Sequence, residues 1–219
     1  MNKVAALGLL LFHFIIVHLL DYVNIKTPYC CLLLMILLLA CHQRIEKKDS
    51  LFTQLETAET GVSFVNKNED TDSLSIIDYL YYYNGAGVAV GDINNDGLPD
   101  IYFAANTGGN SLFLNKGQFK FEDITTKAGV AGKADWTTGV TMADINGDGF
   151  LDIYVSTVSN HSPHDNNGAA FLYFKNSRNQ LFINNRNNTF TESAAAYGLA
   201  FQGYNTQAVF FDYDKDGDL

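Results

Sequence analysis

From Gly87 onward, short apolar runs alternate with breaks rich in Asp, Asn and Gly. Two sets of four runs line up. The first is Gly87–Val90, Ile101–Ala104, Leu112–Asn115 and Phe119–Phe121; the second is Gly139–Met142, Ile153–Ser156, Leu181–Asn184 and Thr189–Thr191. Aromatic and β-branched residues dominate, which predicts strands joined by tight turns. Each set closes on a small-residue corner, Ala128–Val130 and Tyr197–Leu199, and Ala208–Phe211 opens a third set. Four short strands per unit is the size of a β-propeller blade. The expected fold is therefore all-β, with two to three four-stranded blades of an incomplete ring. Leu51–Leu55 and Thr60–Val62 echo the end of a blade, so this leading stretch is expected to complete a blade elsewhere in the ring.

One break recurs almost letter for letter. Asp92-Ile93-Asn94-Asn95-Asp96-Gly97-Leu98-Pro99-Asp100 returns as Asp144-Ile145-Asn146-Gly147-Asp148-Gly149-Phe150-Leu151-Asp152, and again as Asp212-Tyr213-Asp214-Lys215-Asp216-Gly217-Asp218. Oxygen-bearing side chains stand at loop positions 1, 3, 5 and 9, with glycine at 6. A hard cation such as Ca²⁺ needs several oxygens converging at about 2.3–2.6 Å and a backbone that turns sharply to allow it. An EF-hand begins the same way but places an acid at position 12 with a helix after it. Position 12 here is Phe103 or Val155, inside an expected strand, which excludes that motif. A plain Asp-Gly turn would explain the glycine but not the four oxygen positions together. The third copy stops at Leu219, before a ninth position, which reads as the opening part of a longer repeat protein.

Charge and cysteine usage narrow the class. The net charge is −10, and many of the acids are loop aspartates, so nucleic acid is an improbable partner. The three cysteines, Cys30, Cys31 and Cys41, all lie in or beside an apolar N-terminal run, so disulfides do not staple the repeats. Residues 1–41 read as a signal or anchor region: Tyr29–Cys41 is too short to span a bilayer comfortably and suits a signal h-region. It ends in Leu38-Leu39-Ala40-Cys41, which resembles a bacterial lipobox, with Cys41 the acylated residue. The alternative is a transmembrane anchor. A second apolar run, Val4–Leu20, is either a membrane helix or untranslated if the start lies near Val23. Residues 42–50 form a charged tether, and residues 51–219 carry the repeats.

Other clusters have bland readings beside functional ones. Tyr79, Tyr81, Tyr82 and Tyr83 could stack on sugar rings, although such clusters more often pack blades. Trp136 shares that ambiguity. His161 and His164, in a loop with Asp165, form an H-x-x-H pair without a third positioned metal ligand and read as a solvated loop inserted between strands, suited to partner contact. No nucleophile elbow, zinc-protease helix or phosphate loop is present, so the chain is expected not to be an enzyme.

The unit Gly87-Val88-Ala89-Val90-Gly91 followed by the aspartate loop resembles the FG-GAP/VCBS repeats of integrin-α-like propellers. The order of lipobox, tether and repeat is similar to surface lipoproteins that often end in an ASPIC/UnbV domain, a region not seen here. This resemblance implies Ca²⁺ in each loop. It would be held by Asp92, Asn94, Asp96, the Leu98 carbonyl and Asp100; by Asp144, Asn146, Asp148, the Phe150 carbonyl and Asp152; and by Asp212, Asp214, Asp216 and the Asp218 carbonyl. The resulting expectation is a calcium-binding propeller module of an exported lipoprotein at an outer membrane or cell surface. Its partner would be a glycan or a protein. The alternative is a non-catalytic part of a larger polysaccharide-processing enzyme.

Overall fold

The computed structural model describes residues 51–72, 75–77, 79–159 and 177–219. The signal region, Cys41, the tether and the His161/His164 insertion lie outside the described residues. Among the described residues no helix is long and apolar enough to cross a membrane.

Among the described residues, eight strands form two antiparallel four-stranded sheets, each in simple sequential order. The first blade is β1 (Val88–Gly91), β2 (Asp100–Phe103), β3 (Ser111–Asn115) and β4 (Phe121–Asp123). The second is β5 (Thr137–Ala143), β6 (Asp152–Thr157), β7 (Gln180–Asn184) and β8 (Phe190–Glu192). Their registers correspond: Val90 faces Ile101 and Met142 faces Ile153, so each aspartate loop caps the same end of the same hairpin. These are propeller-like blades, as the spacing of the apolar runs predicts.

The fourth strands begin later than the sequence pattern suggests. Gly117, Gln118 and Phe119 all take positive φ, so Phe119 sits in the hairpin turn and is left exposed. Arg186 and Asn188 do the same before β8, which starts at Phe190 and not at Thr189. The corner after the first blade is also more than a loop. Thr125–Ala128 forms one helical turn, α2, closed by Gly129 at φ 76°. Thr57–Thr60 forms an identical turn, α1, closed by Gly61 at φ 81°.

Blades pack face to face through a step that repeats along the chain. A side chain on Gly129 would meet the Phe190 carbonyl of the second blade at 3.8 Å, and one on Gly61 would meet the Phe121 carbonyl of the first at 2.5 Å. Residues 57–62 therefore lie on the first blade as the end of that blade lies on the second. This is the corner echo expected of Thr60–Val62, whereas Leu51–Leu55 forms no strand and its large apolar side chains are exposed. The inter-blade core gathers Tyr102, Leu112, Leu114 and Val130 against Val140, Ile153, Val155 and Phe182. On the other face of the second blade, Tyr154 and Leu181 pack under Ala208 and Phe210. Covered on both faces, β6 is buried along its whole length, while β2 buries only alternate residues.

The third apolar run, Ala208–Phe211, takes no ladder partner among the described residues and is not a strand. Side chains hold it instead. Thr141 Oγ1 donates to the Ala208 carbonyl at 2.6 Å, and Gln207 Nε2 donates to the Val140 carbonyl at 3.1 Å.

Candidate metal centre

Each aspartate loop is shaped by its own carboxylates. Asp92 Oδ1 accepts from the Asp96 amide at 3.2 Å and Oδ2 from the Gly97 amide at 2.7 Å. Asp144 repeats this with Asp148 and Gly149, at 2.9 and 2.7 Å. Asp212 Oδ2 holds the Gly217 amide at 3.0 Å. The position-5 acids, Asp96 and Asp148, accept from the amides of Leu98 and Phe150, both at 2.9 Å. The backbone is equally regular. Position 4 is left-handed in all three loops (Asn95 59°, Gly147 69°, Lys215 65°), and so is the glycine at position 6 (83°, 84° and 100°). A left-handed residue other than glycine is uncommon, and asparagine tolerates it best.

The position-9 acids are the most informative. Asp100 and Asp152 are wholly buried. Asp100 accepts from the amides of Ile93 at 3.0 Å and Asn115 at 2.7 Å, and Asp152 accepts from Ile145 at 3.0 Å and Asn184 at 2.8 Å. Each carboxylate thus ties its loop to the third strand of its blade. Burial raises both groups above the usual carboxylate range, the two amides pull each part-way back, and the other two loop acids push it up again. Among the described residues no lysine or arginine pairs with either. Buried charge is ordinarily paired or metal-bound, so a cation at the mouth of the loop would complete the balance. The donor set of carboxylates and an amide oxygen suits a hard divalent ion. Among the described residues only the third loop brings three acids, Asp212, Asp214 and Asp216, within 4.8 Å of one another; the acids of the two complete loops stand farther apart. The donor chemistry of all three loops fits calcium, and in the first two the carboxylates would close in around the ion.

Two features escape a reading by loop alone. Asn184 Nδ2 donates to the Ile93 carbonyl of the neighbouring loop at 2.8 Å, and Asn95 Nδ2 donates to the Gly149 carbonyl at 2.9 Å. Adjacent loops are therefore bolted together. The recurring Asn at the end of each third apolar run was the available signal. Arg186 has no such signal, because Gly117 stands at its place in the first blade. Its guanidinium bonds Asp148 Oδ2 at 3.0–3.1 Å and lies over the Phe150 ring, 5.7 Å from its centre. Burial pulls Asp148 upward, but the Phe150 amide, Arg186 and Asn146 outweigh it and hold this carboxyl below its ordinary range.

Known proteins carry the same unit. Residues 92–155 match the model of the FG-GAP-like repeat. Residues 92–155 are an FG-GAP-like repeat unit. It is 43% identical over 72 residues to cartilage acidic protein 1 of Xenopus tropicalis, covering 33% of this chain and 11% of that protein. The human protein of that name is 40% identical over the same length. Integrin alpha-PS5 of Drosophila melanogaster is 34% identical over 101 residues, covering 42% of this chain and 10% of that protein. The matched part spans only about a tenth of the length of these relatives.

Proposed function

We propose that residues 51–219 form a calcium-stapled propeller module that binds a glycan or protein ligand and performs no chemistry of its own. In this reading an exported, membrane-anchored lipoprotein, acylated at Cys41, presents the FG-GAP-like repeats outside the cytoplasm. The observation that carries it is the pair of buried carboxylates Asp100 and Asp152, which pair with no lysine or arginine among the described residues and each close a loop of further hard oxygens.

Bound calcium would supply positive charge to the acid cluster and fix the loop. Asp92, Asn94, Asp96 and Asp100 would hold it in the first blade, and Asp144, Asn146, Asp148 and Asp152 in the second. The Leu98 and Phe150 carbonyls add a ligand to each. Asp212, Asp214, Asp216 and the Asp218 carbonyl form the third set. Extracellular modules bind calcium with Kd of roughly 10⁻⁴–10⁻³ M. At about 1 mM calcium and Kd about 0.1 mM, each filled site adds about 1.4 kcal/mol.

Melting curves test this directly. Two sites are expected to raise Tm by roughly 5–10 °C in calcium over EDTA for a domain of this size, and an unchanged Tm rejects the metal reading. The increment also shrinks as the pH falls towards the carboxylate range. Asp100 and Asp152 bind protons more tightly folded than unfolded, so acid favours the metal-free fold while weakening a metal that needs them ionised.

Arg186 makes the two complete sites unequal. Its positive charge beside Asp148 opposes a second cation, whereas Gly117 leaves the first loop unopposed. Calorimetric titration of Arg186→Gly is expected to show the weaker site tightening by roughly several-fold. An unchanged pair of affinities would remove Arg186 from the account.

A further inference from the structure

We propose that a cavity of about 570 Å³ at the starting ends of the inner strands is a binding site for a neutral saccharide. This identifies a ligand class for the binding module proposed above and rests on that reading. The cavity is walled by Tyr79, Tyr81, Trp136 and Tyr204, with Asn84 and Thr138 at its polar edge. Its size falls within the range of small-molecule sites.

The aromatic floor is rigid. Trp136 is buried, with the Tyr79 ring set edge-on at 5.4 Å and Tyr82 tilted against it at 5.3 Å. Tyr82 is itself fixed by donating its hydroxyl to the Glu69 carbonyl at 2.7 Å. Against that floor, Tyr81 and Tyr204 stand 60% and 56% exposed, and both present ring surface to the cavity. Burial, then the neighbouring phenols of Tyr204 and Tyr81, raise the Tyr79 hydroxyl's pKa, so the three phenols share one locality.

The chemistry of the lining points to the ligand class. None of the described residues that line this cavity is Asp, Glu, Lys or Arg, and what they offer is aromatic surface with a few neutral polar groups. Aromatic faces suit the C–H face of a pyranose, while the Tyr81 phenol and the Asn84 amide suit its hydroxyl groups; the Thr138 hydroxyl already donates to the Asn205 carbonyl at 2.6 Å. A purely apolar side chain from a peptide would leave that polar rim unused.

The cavity is also separate from the aspartate loops. Each inner strand runs from the cavity to its loop, and the seven residues of β5 span about 20 Å. Saccharide binding and calcium stability can therefore be measured independently.

Trp136 is the chain's single tryptophan, so its emission reports the cavity. Titration of the full chain with cellobiose, maltose, lactose and chitobiose is expected to give a saturable change with at least one, with Kd on the order of 1 mM. Tyr81→Ala and Tyr204→Ala should each weaken it roughly tenfold, and Tyr81→Phe should lose less. Tyr81→Phe keeps the ring against Tyr79 and should keep the parent's melting temperature, so its loss of binding reads the hydroxyl alone. No saturable change with any sugar up to about 50 mM overturns the proposal, as does binding indifferent to both alanine variants. Saturation only by an aromatic peptide also overturns it. A calcium shift in Tm without saccharide binding rejects this site alone; saccharide binding without a calcium shift rejects only the metal reading.

Discussion

Asp152→Ala is expected to lower stability by about 3–5 kcal/mol even in EDTA, when no metal enters the comparison. The carboxylate is wholly buried and accepts the amides of Ile145 and Asn184. Its removal strands both donors, and each unsatisfied buried amide costs about 1–3 kcal/mol. The damage spreads, because Asn184 also carries the bonds to the Ile93 and Leu151 carbonyls that join one loop to the next. Asp96→Ala provides the contrast. Asp96 is exposed and holds a loop amide in contact with water, so in EDTA its loss should cost under about 1 kcal/mol. In calcium both variants should lose the metal's contribution at their own site. Urea denaturation with and without EDTA separates the two roles. If Asp152→Ala stays within about 1 kcal/mol of the parent in EDTA, the carboxylate is not the brace described above.

Most of the blade plan could be read from the repeat because strand periodicity and loop chemistry agree. The aspartate loops set the register, and Ile101 and Ile153 then fall opposite Val90 and Met142 as alignment requires. Reading failed where the backbone departs from the pattern without an obvious residue to say so. Phe119 looks like a strand residue but takes φ 57° in a turn. Ala208–Phe211 has strand composition, yet a strand exists only through a partner's ladder, and none is present among the described residues. The acids at loop positions 1, 3, 5 and 9 were visible as metal ligands. That Asp100 and Asp152 also pin the third strands was not, since their amide donors lie 15 and 32 residues away. Arg186 and Tyr204 were invisible for a simpler reason: neither recurs, and each gains meaning only from what folding brings beside it.

Glycine is required for space, not flexibility, where the blades converge, and this sets the second large expectation. A side chain at Gly87 would lie 2.6 Å from the Val140 amide nitrogen and 3.0 Å from the Gly139 carbonyl carbon, both backbone atoms unable to step aside. One repeat later, a side chain at Gly139 would lie 2.5 Å from the Thr206 carbonyl oxygen. The two inner strands thus approach as closely as bare backbone allows, and the segment carrying Thr206 approaches the second of them just as closely. Gly87→Ala must push the blades apart and loosen the core between Ala89, Tyr102, Val140 and Val155. Overpacking of this kind costs about 1–3 kcal/mol and more where backbone has to move, so about 3 kcal/mol is expected by urea denaturation. Gly147→Asn tests the opposite case. Gly147 is left-handed at φ 69° with open space around its Cβ position, and Asn95 occupies the same place in the first loop at φ 59°. That change should shift stability by less than about 0.5 kcal/mol and leave calcium binding intact. Equal costs for the two glycines would mean that backbone conformation, and not the closeness of neighbouring blades, governs both positions.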